Sequence, residues 1–141
     1  MKAFLDTSVL VAAFYGDHEH HDPSLALFSR QKKATGCTAA HCLTEFYAVA
    51  TAMPGPNRAS PHEALLFVQD IRERLTLVAL GTEDHLSALE EAAQTGISGG
   101  ATYDAMIARC ALKADAQIIY TWNVRDFRRL GPHIAARVRA P

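Results

Sequence analysis

The chain has 141 residues, with Lys+Arg 14 against Asp+Glu 15, 49% hydrophobic and 21% charged. This length predicts a single domain over residues 1–141 whose core needs no disulfide staples, and the composition excludes a disordered chain. A formal net charge of -1 excludes a protein that coats nucleic acid through bulk positive charge, but leaves room for a local site.

The three cysteines, Cys37, Cys42 and Cys110, form no C-x-x-C pair. They read as reduced, buried thiols and argue against a disulfide framework or a thiolate zinc site. No strongly apolar run reaches the roughly 18 residues that a membrane helix requires. Asp6 interrupts the apolar start too early for a signal peptide, so the expectation is a cytoplasmic protein.

In chain order, Ala3, Phe4 and Leu5 fit a buried strand that stops at Asp6. Thr7 or Ser8 can cap a helix through residues 9–15, which Gly16 ends. A polar loop over residues 17–21 leads to Asp22, a candidate cap for a second helix with Pro23 in its first turn and Leu25, Leu27 and Phe28 as its apolar residues. A weak strand is expected around residues 35–37. Residues 38–52 read as one helix, apolar almost all round, broken by Met53-Pro54-Gly55-Pro56-Asn57. Ser60 and Glu63 form a capping-box pattern for a helix to about residue 74, with Leu65, Leu66, Val68 and Ile71 facing inward. Residues 75–80 read as a strand. Thr82 is expected to cap a helix to about residue 94, and another helix runs over residues 102–114. Residues 117–120 form the last clear strand, followed by a short helix over residues 124–130 and an Arg-bearing tail. Strands alternate with helices and no hairpin joins two strands. That pattern predicts an α/β fold with a central parallel sheet between helical layers, whose ligands sit outside the carboxyl ends of the strands.

Four acids then stand out. Asp6 follows the first strand, and Asp126, like the amide Asn123, follows the last; Asp6 is alternatively a helix N-cap, and Asp126 a cap or a surface acid. Glu45 is the only Asp, Glu, Lys or Arg between Lys33 and Arg58. It lies on the apolar helix, where an unpaired carboxylate is costly. Its alternative is a buried Glu satisfied by a distant Arg or by backbone N–H groups. Asp104 shares a stripe with Ile107, Ala108 and Ala111; alternatively it complements the dipole of its helix. Carboxylates converging on one cleft without Lys or Cys call for a hard divalent cation, Mg²⁺ or Mn²⁺. Such an ion suits phosphoryl chemistry.

At this point the chain resembles a known family, the PIN-domain ribonucleases of the VapC toxin type. The resemblance rests on Phe4-Leu5-Asp6-Thr7-Ser8, on Thr44-Glu45-Phe46, on Tyr103-Asp104-Ala105-Met106-Ile107-Ala108 and on Thr121-Trp122-Asn123-Val124-Arg125-Asp126-Phe127. It implies a three-layer α/β/α sandwich and Mg²⁺- or Mn²⁺-dependent cleavage of RNA. Asp6, Glu45 and Asp104 then match the acidic site and the metal ligands, with Thr7 and Thr121 orienting the acids beside them. Many members carry an acid where this chain has Asn123; Asp126 can supply the missing charge. The resemblance also implies a small antitoxin partner and a homodimer.

Other features compete for attention. The histidine-rich loop at residues 17–22 matches no closed zinc site. It reads as a solvated loop at the cleft rim, where His20 or His21 can meet RNA or a protein partner. Gly96, Gly99 and Gly100 follow a helix and lack the lysine of a phosphate loop. Arg125, inside the last motif, is the favoured contact for an RNA phosphate among the tail arginines, and Trp122 reads as a packing residue. A phosphatase with an aspartyl nucleophile is disfavoured because Ser8 stands where a second Asp is expected. The non-enzymatic alternative is a catalytically degenerate PIN-like interaction module, supported by Asn123.

Overall fold

In a computed structural model, which describes residues 2–141, the chain forms an α/β fold around a parallel sheet of five strands in the order β3-β2-β1-β4-β5. The elements are β1 (Ala3–Leu5), α1 (Thr7–Phe14), α2 (His21–Ser29), β2 (Gly36–Ala39), α3 (Ala40–Ala52), α4 (Pro61–Arg74), β3 (Thr76–Val78), α5 (Thr82–Thr95), α6 (Ala101–Lys113), β4 (Ile118–Tyr120), α7 (Val124–Arg128), α8 (Pro132–Ala135) and β5 (Val138–Arg139). Ala3 sets the register, facing Gly36 on one side and Ile118 on the other.

The strand order dictates the layers. From β1 the chain steps outward to β2 and β3, then returns to place β4 on the other flank of β1 and continues outward to β5. Right-handed crossovers in opposite directions put their helices on opposite faces of the sheet. The packing agrees: α1 touches α2 and α3, and α3 touches α4, while α5 packs on α6, α6 on α7 and α7 on α8. The result is the expected three-layer sandwich.

The buried faces follow helical spacing. On α3 the buried stripe is Cys42, Phe46 and Ala50. Phe46 meets Phe14 of α1 at 5.2 Å and Phe67 of α4 at 5.0 Å between ring centroids, and Phe67 meets Phe28 of α2 at 5.4 Å. These rings join the four helices of one layer. Gly36 begins β2 because a Cβ there would stand 2.8 Å from the Leu75 side chain. Gly96 ends α5 in the left-handed conformation, φ 76°, which glycine adopts without a Cβ clash.

Several expectations need correction. The α3 helix is not buried all round: Tyr47 and Val49 are 37% and 41% exposed. Uncharged residues on its outer face imitate a buried helix. The segment also begins as strand, because the Thr38 hydroxyl donates to the Leu5 carbonyl at 2.7 Å and is buried. On α4, Leu65 and Leu66 are exposed, and the buried stripe is Ala64 and Ile71. Small Ala64 allows the close approach that two leucines would block. Leu25 on α2 is exposed, with Ser24, Leu27 and Phe28 buried. Asp6 rather than Thr7 or Ser8 caps α1, His20 precedes α2, and Gly81 precedes α5. The Arg-bearing tail, for which no element was expected from the sequence, carries α8 and the edge strand β5, in which Val138 is buried and pairs with Ile119. The three cysteines are free and buried, as expected. Among the described residues, no helix is long and apolar enough to cross a membrane.

Candidate active site

The crossovers leave β1 and β4 in opposite directions, so a crevice opens at the carboxyl ends of these two neighbours. Asp6 and Thr121, the residues that follow them, are both buried. The Asp6 backbone N–H donates to the Tyr120 carbonyl at 3.0 Å, tying the two strand ends together. The Asp6 carboxylate Oδ2 accepts from Thr121 Oγ1 at 2.8 Å, from Ser8 Oγ at 2.9 Å and from the Ser8 backbone N–H at 3.4 Å. Asp6 therefore caps α1 and faces the cleft at once. Burial pushes its carboxyl above the usual range, and the hydrogen bonds from Thr121 and Ser8 pull it part of the way back.

Glu45 comes from α3, which packs on α1. Thr7 Oγ1 donates to Glu45 Oε1 at 2.7 Å. His41, one turn earlier, brings Nε2 to 3.8 Å from the same oxygen. The Glu45 side chain is 36% exposed, so it lines a cleft and is not sealed in a core. The threonines thus serve acids far along the chain, Thr7 serving Glu45 and Thr121 serving Asp6, and not the residues beside them.

Asp104 lies in the first turn of α6 and is half-buried. Burial, and then the charges of Asp6, Asp126 and Glu45, push its carboxyl up to about 6. Asp6 ahead of α1, Asp126 on α7 and Glu45 on α3 thus all bear electrostatically on Asp104 at the start of α6.

A cleft of about 470 Å³ is lined by Asp6, Thr7, Ser8, Glu45, Asp104 and Asn123, together with Val11, Val49, Ile107, Trp122 and the loop residues His18, Glu19 and His20. Asn123 stands in the wall itself, its backbone N–H donating to Thr121 Oγ1 at 3.0 Å. Asp126 is exposed on α7, outside the wall but within electrostatic reach of Asp104. Arg125 is exposed on the same helix and is not part of the wall.

Sequence reasoning missed two residues. Ser8 donates to Asp6 and accepts a hydrogen bond from the Trp122 backbone N–H at 2.9 Å. Trp122 lies in the wall, stacked on His20. A serine two residues after a capping aspartate is a local signal for Ser8; the partners of Trp122 lie about a hundred residues away and leave none.

The donor set fits a hard divalent cation. Its side chains offer carboxylate and amide oxygens, no Lys or Arg among the described residues lines the cleft, and burial, with the charges of the neighbouring acids, pushes the Asp104 carboxyl up to about 6. Among the described residues, no three His, Cys, Asp or Glu side chains already form a ligand group, in the cleft or in the histidine loop.

Comparison with known proteins gives one coherent result. A family model described as PIN domain matches residues 3–131. Ribonuclease VapC40 of Mycobacterium tuberculosis is 32% identical over 133 residues, covering 94% of this chain and 92% of that protein. The crystal structure of Mycobacterium tuberculosis VapC20, a toxin that cleaves the sarcin-ricin loop, aligns with TM-score 0.66 at 18% identity over 84% of this chain and 87% of the other. VapBC2 from Rickettsia felis, solved bound to a DNA fragment from its promoter, aligns with TM-score 0.66 at 17% identity over 99% and 98% of the two chains.

Proposed function

The chain belongs to the PIN-domain family and is homologous to the VapC ribonuclease toxins of toxin–antitoxin systems, and from that premise we propose that it is a Mg²⁺- or Mn²⁺-dependent endoribonuclease acting in the acidic cleft. The observation that carries this reading is Asp104, whose carboxyl is pushed up to about 6 by burial and by Asp6, Asp126 and Glu45, in a cleft whose wall, among the described residues, holds no Lys or Arg. A site of this kind accommodates a divalent cation and the phosphate it attracts.

In this reading Asp6, Asp104 and Glu45 hold the ion. When bound, the ion supplies a Lewis acid that polarises a phosphoryl oxygen and offsets the carboxylate charge. The chain's own residues prepare the place. Thr121 and Ser8 hold the Asp6 carboxylate in one orientation, and Thr7 does the same for Glu45. Asn123 offers an amide oxygen in the wall but no charge, and Asp126 adds negative charge from the rim. Arg125, on the outer side of α7, contacts an RNA phosphate beyond the acids. A small antitoxin protein is the proposed partner that closes the cleft, and two copies of the chain form the proposed toxin dimer.

The test is induced expression followed by mapping of new RNA ends, with Asp104→Asn as control. Discrete cleavage sites that vanish in the variant are the expected result. Identical maps for the two proteins would sink the nuclease assignment. Asn123 favours a second reading, a PIN-like interaction module without catalysis. A protein whose thermal stability does not respond to Mn²⁺ would support that module.

A further inference from the structure

We propose that the stacked pair of His20 and Trp122 is a base-binding platform, receiving one unpaired nucleobase of the RNA beside the acidic cleft; the proposal rests on the nuclease reading and names the substrate class that its site selects. Trp122 is the only tryptophan in the chain. It lies two residues past the end of β4 and lines the same cleft as Asp6, Glu45 and Asp104. Its orientation is fixed at both ends. The backbone N–H donates to Ser8 Oγ at 2.9 Å, and the indole Nε1–H donates to Ser24 Oγ at 2.8 Å, with Ser24 fully buried. Ser8 Oγ in turn donates to the Asp6 carboxylate. The Trp122 backbone is thereby tied through one side chain to the carboxylate at the centre of the site, while the indole is anchored separately on Ser24.

His20 shows what this surface accepts. Its ring lies 3.7 Å from the indole with 7° between the planes. That is the spacing and parallel arrangement a nucleobase adopts on an aromatic side chain. His20 precedes α2 without a side-chain capping bond; its side chain is 37% exposed, and its one charged contact, Nε2 at 3.4 Å from Glu19 Oε1, is with an exposed carboxylate. Trp122 is partly buried and packs against the apolar core, as a packing residue should, and it also meets a polar ring in the wall of the acid-lined cleft. The ring pair is rigid on the tryptophan side and accessible on the histidine side, so a base stacks with little reorganisation. A base held in a duplex is already stacked and paired, so the platform selects single-stranded or looped RNA with one base turned out.

Trp122 emission reports the event in the intact protein. A short single-stranded RNA is mixed with it in Mg²⁺ by stopped flow, while a dye on the RNA reports binding by anisotropy. The expected result is quenching of Trp122 by the single strand and none by an abasic strand of equal length or by the same sequence as a duplex. His20→Ala is expected to weaken single-strand binding about tenfold or more, with little change for the abasic strand. Trp122→Phe, which keeps a stacking ring, is expected to bind better than Trp122→Leu. Binding with unchanged emission, or equal quenching by the abasic strand, overturns the platform. So does failure of every RNA to bind, which would assign the pair to a protein contact. Cleavage lost in Asp104→Asn judges the nuclease reading separately: cleavage without base dependence rejects the platform alone.

Discussion

Asp104 in the metal-free protein keeps its proton to about pH 6 because burial and three acids penalise its charge. A carboxyl raised in the folded state makes the native protein bind more protons than the unfolded chain between 3.8 and about 6. Stability therefore falls as pH rises through that window. Asp104→Asn is expected to raise the melting temperature of metal-free protein at pH 7 and to change little below pH 4, as thermal melts across that range will read. A lower melting temperature for the variant at pH 7 would contradict the repulsion argument. Thr121 works in the opposite direction, since its hydroxyl is buried against the Asp6 carboxylate. Thr121→Val should cost about 1.5–3 kcal/mol, the usual worth of a hydrogen bond to a charged group, measured by urea denaturation. Asp6, Glu45 and Asp104 were legible in the sequence because each is a carboxylate among apolar neighbours. Trp122 was not, because its partners Ser8 and Ser24 lie about a hundred residues away in the chain; Ser8 shows only its local bond to Asp6 in the sequence, not its link to Trp122.

Elements were legible where local chemistry specifies them. The capping box of α4 is present as the sequence indicates: the Glu63 backbone N–H donates to Ser60 Oγ at 3.1 Å and the Ser60 backbone N–H to Glu63 Oε1 at 3.0 Å. Ser60→Ala should destabilise the protein by about 1 kcal/mol while leaving RNA cleavage unchanged, since Ser60 is exposed and is not among the residues of the cleft wall. A denaturation midpoint equal to wild type would show that α4 does not need its cap. The buried faces of α3 and α4 were harder to read. Periodicity marks a stripe only when the opposite face is polar, and Tyr47, Val49, Leu65 and Leu66 leave both faces apolar. The two-residue strand β5 holds one buried side chain, Val138, and no pattern of two residues predicts a strand.

At the scale of the whole molecule, the parallel order β3-β2-β1-β4-β5 does two jobs. It fixes the three layers, and it brings residues from both halves of the chain to one crevice. Phe46 shows how packing supports the site: fully buried on α3, it holds the rings of α1 and α4 and lies next to Glu45 in sequence. Phe46→Ala is expected to cost about 3–5 kcal/mol and to weaken cleavage through misplacement of α3, which denaturation and activity assays will read together. A near-zero net charge excluded a bulk coat of nucleic acid, and the fold gives that balance a geometry, with acids at the crevice and Arg125, Arg128 and Arg129 exposed on and just after α7. The central claim is that these acids form a metal-dependent nuclease site. Its most direct test is the cleavage rate of a defined single-stranded RNA by purified protein, titrated with Mg²⁺, for wild type, Glu45→Gln and Asp104→Asn. The account predicts a rate that requires the ion and falls about a hundredfold or more in each variant; cleavage that persists in EDTA, or equal rates for all three proteins, would contradict it.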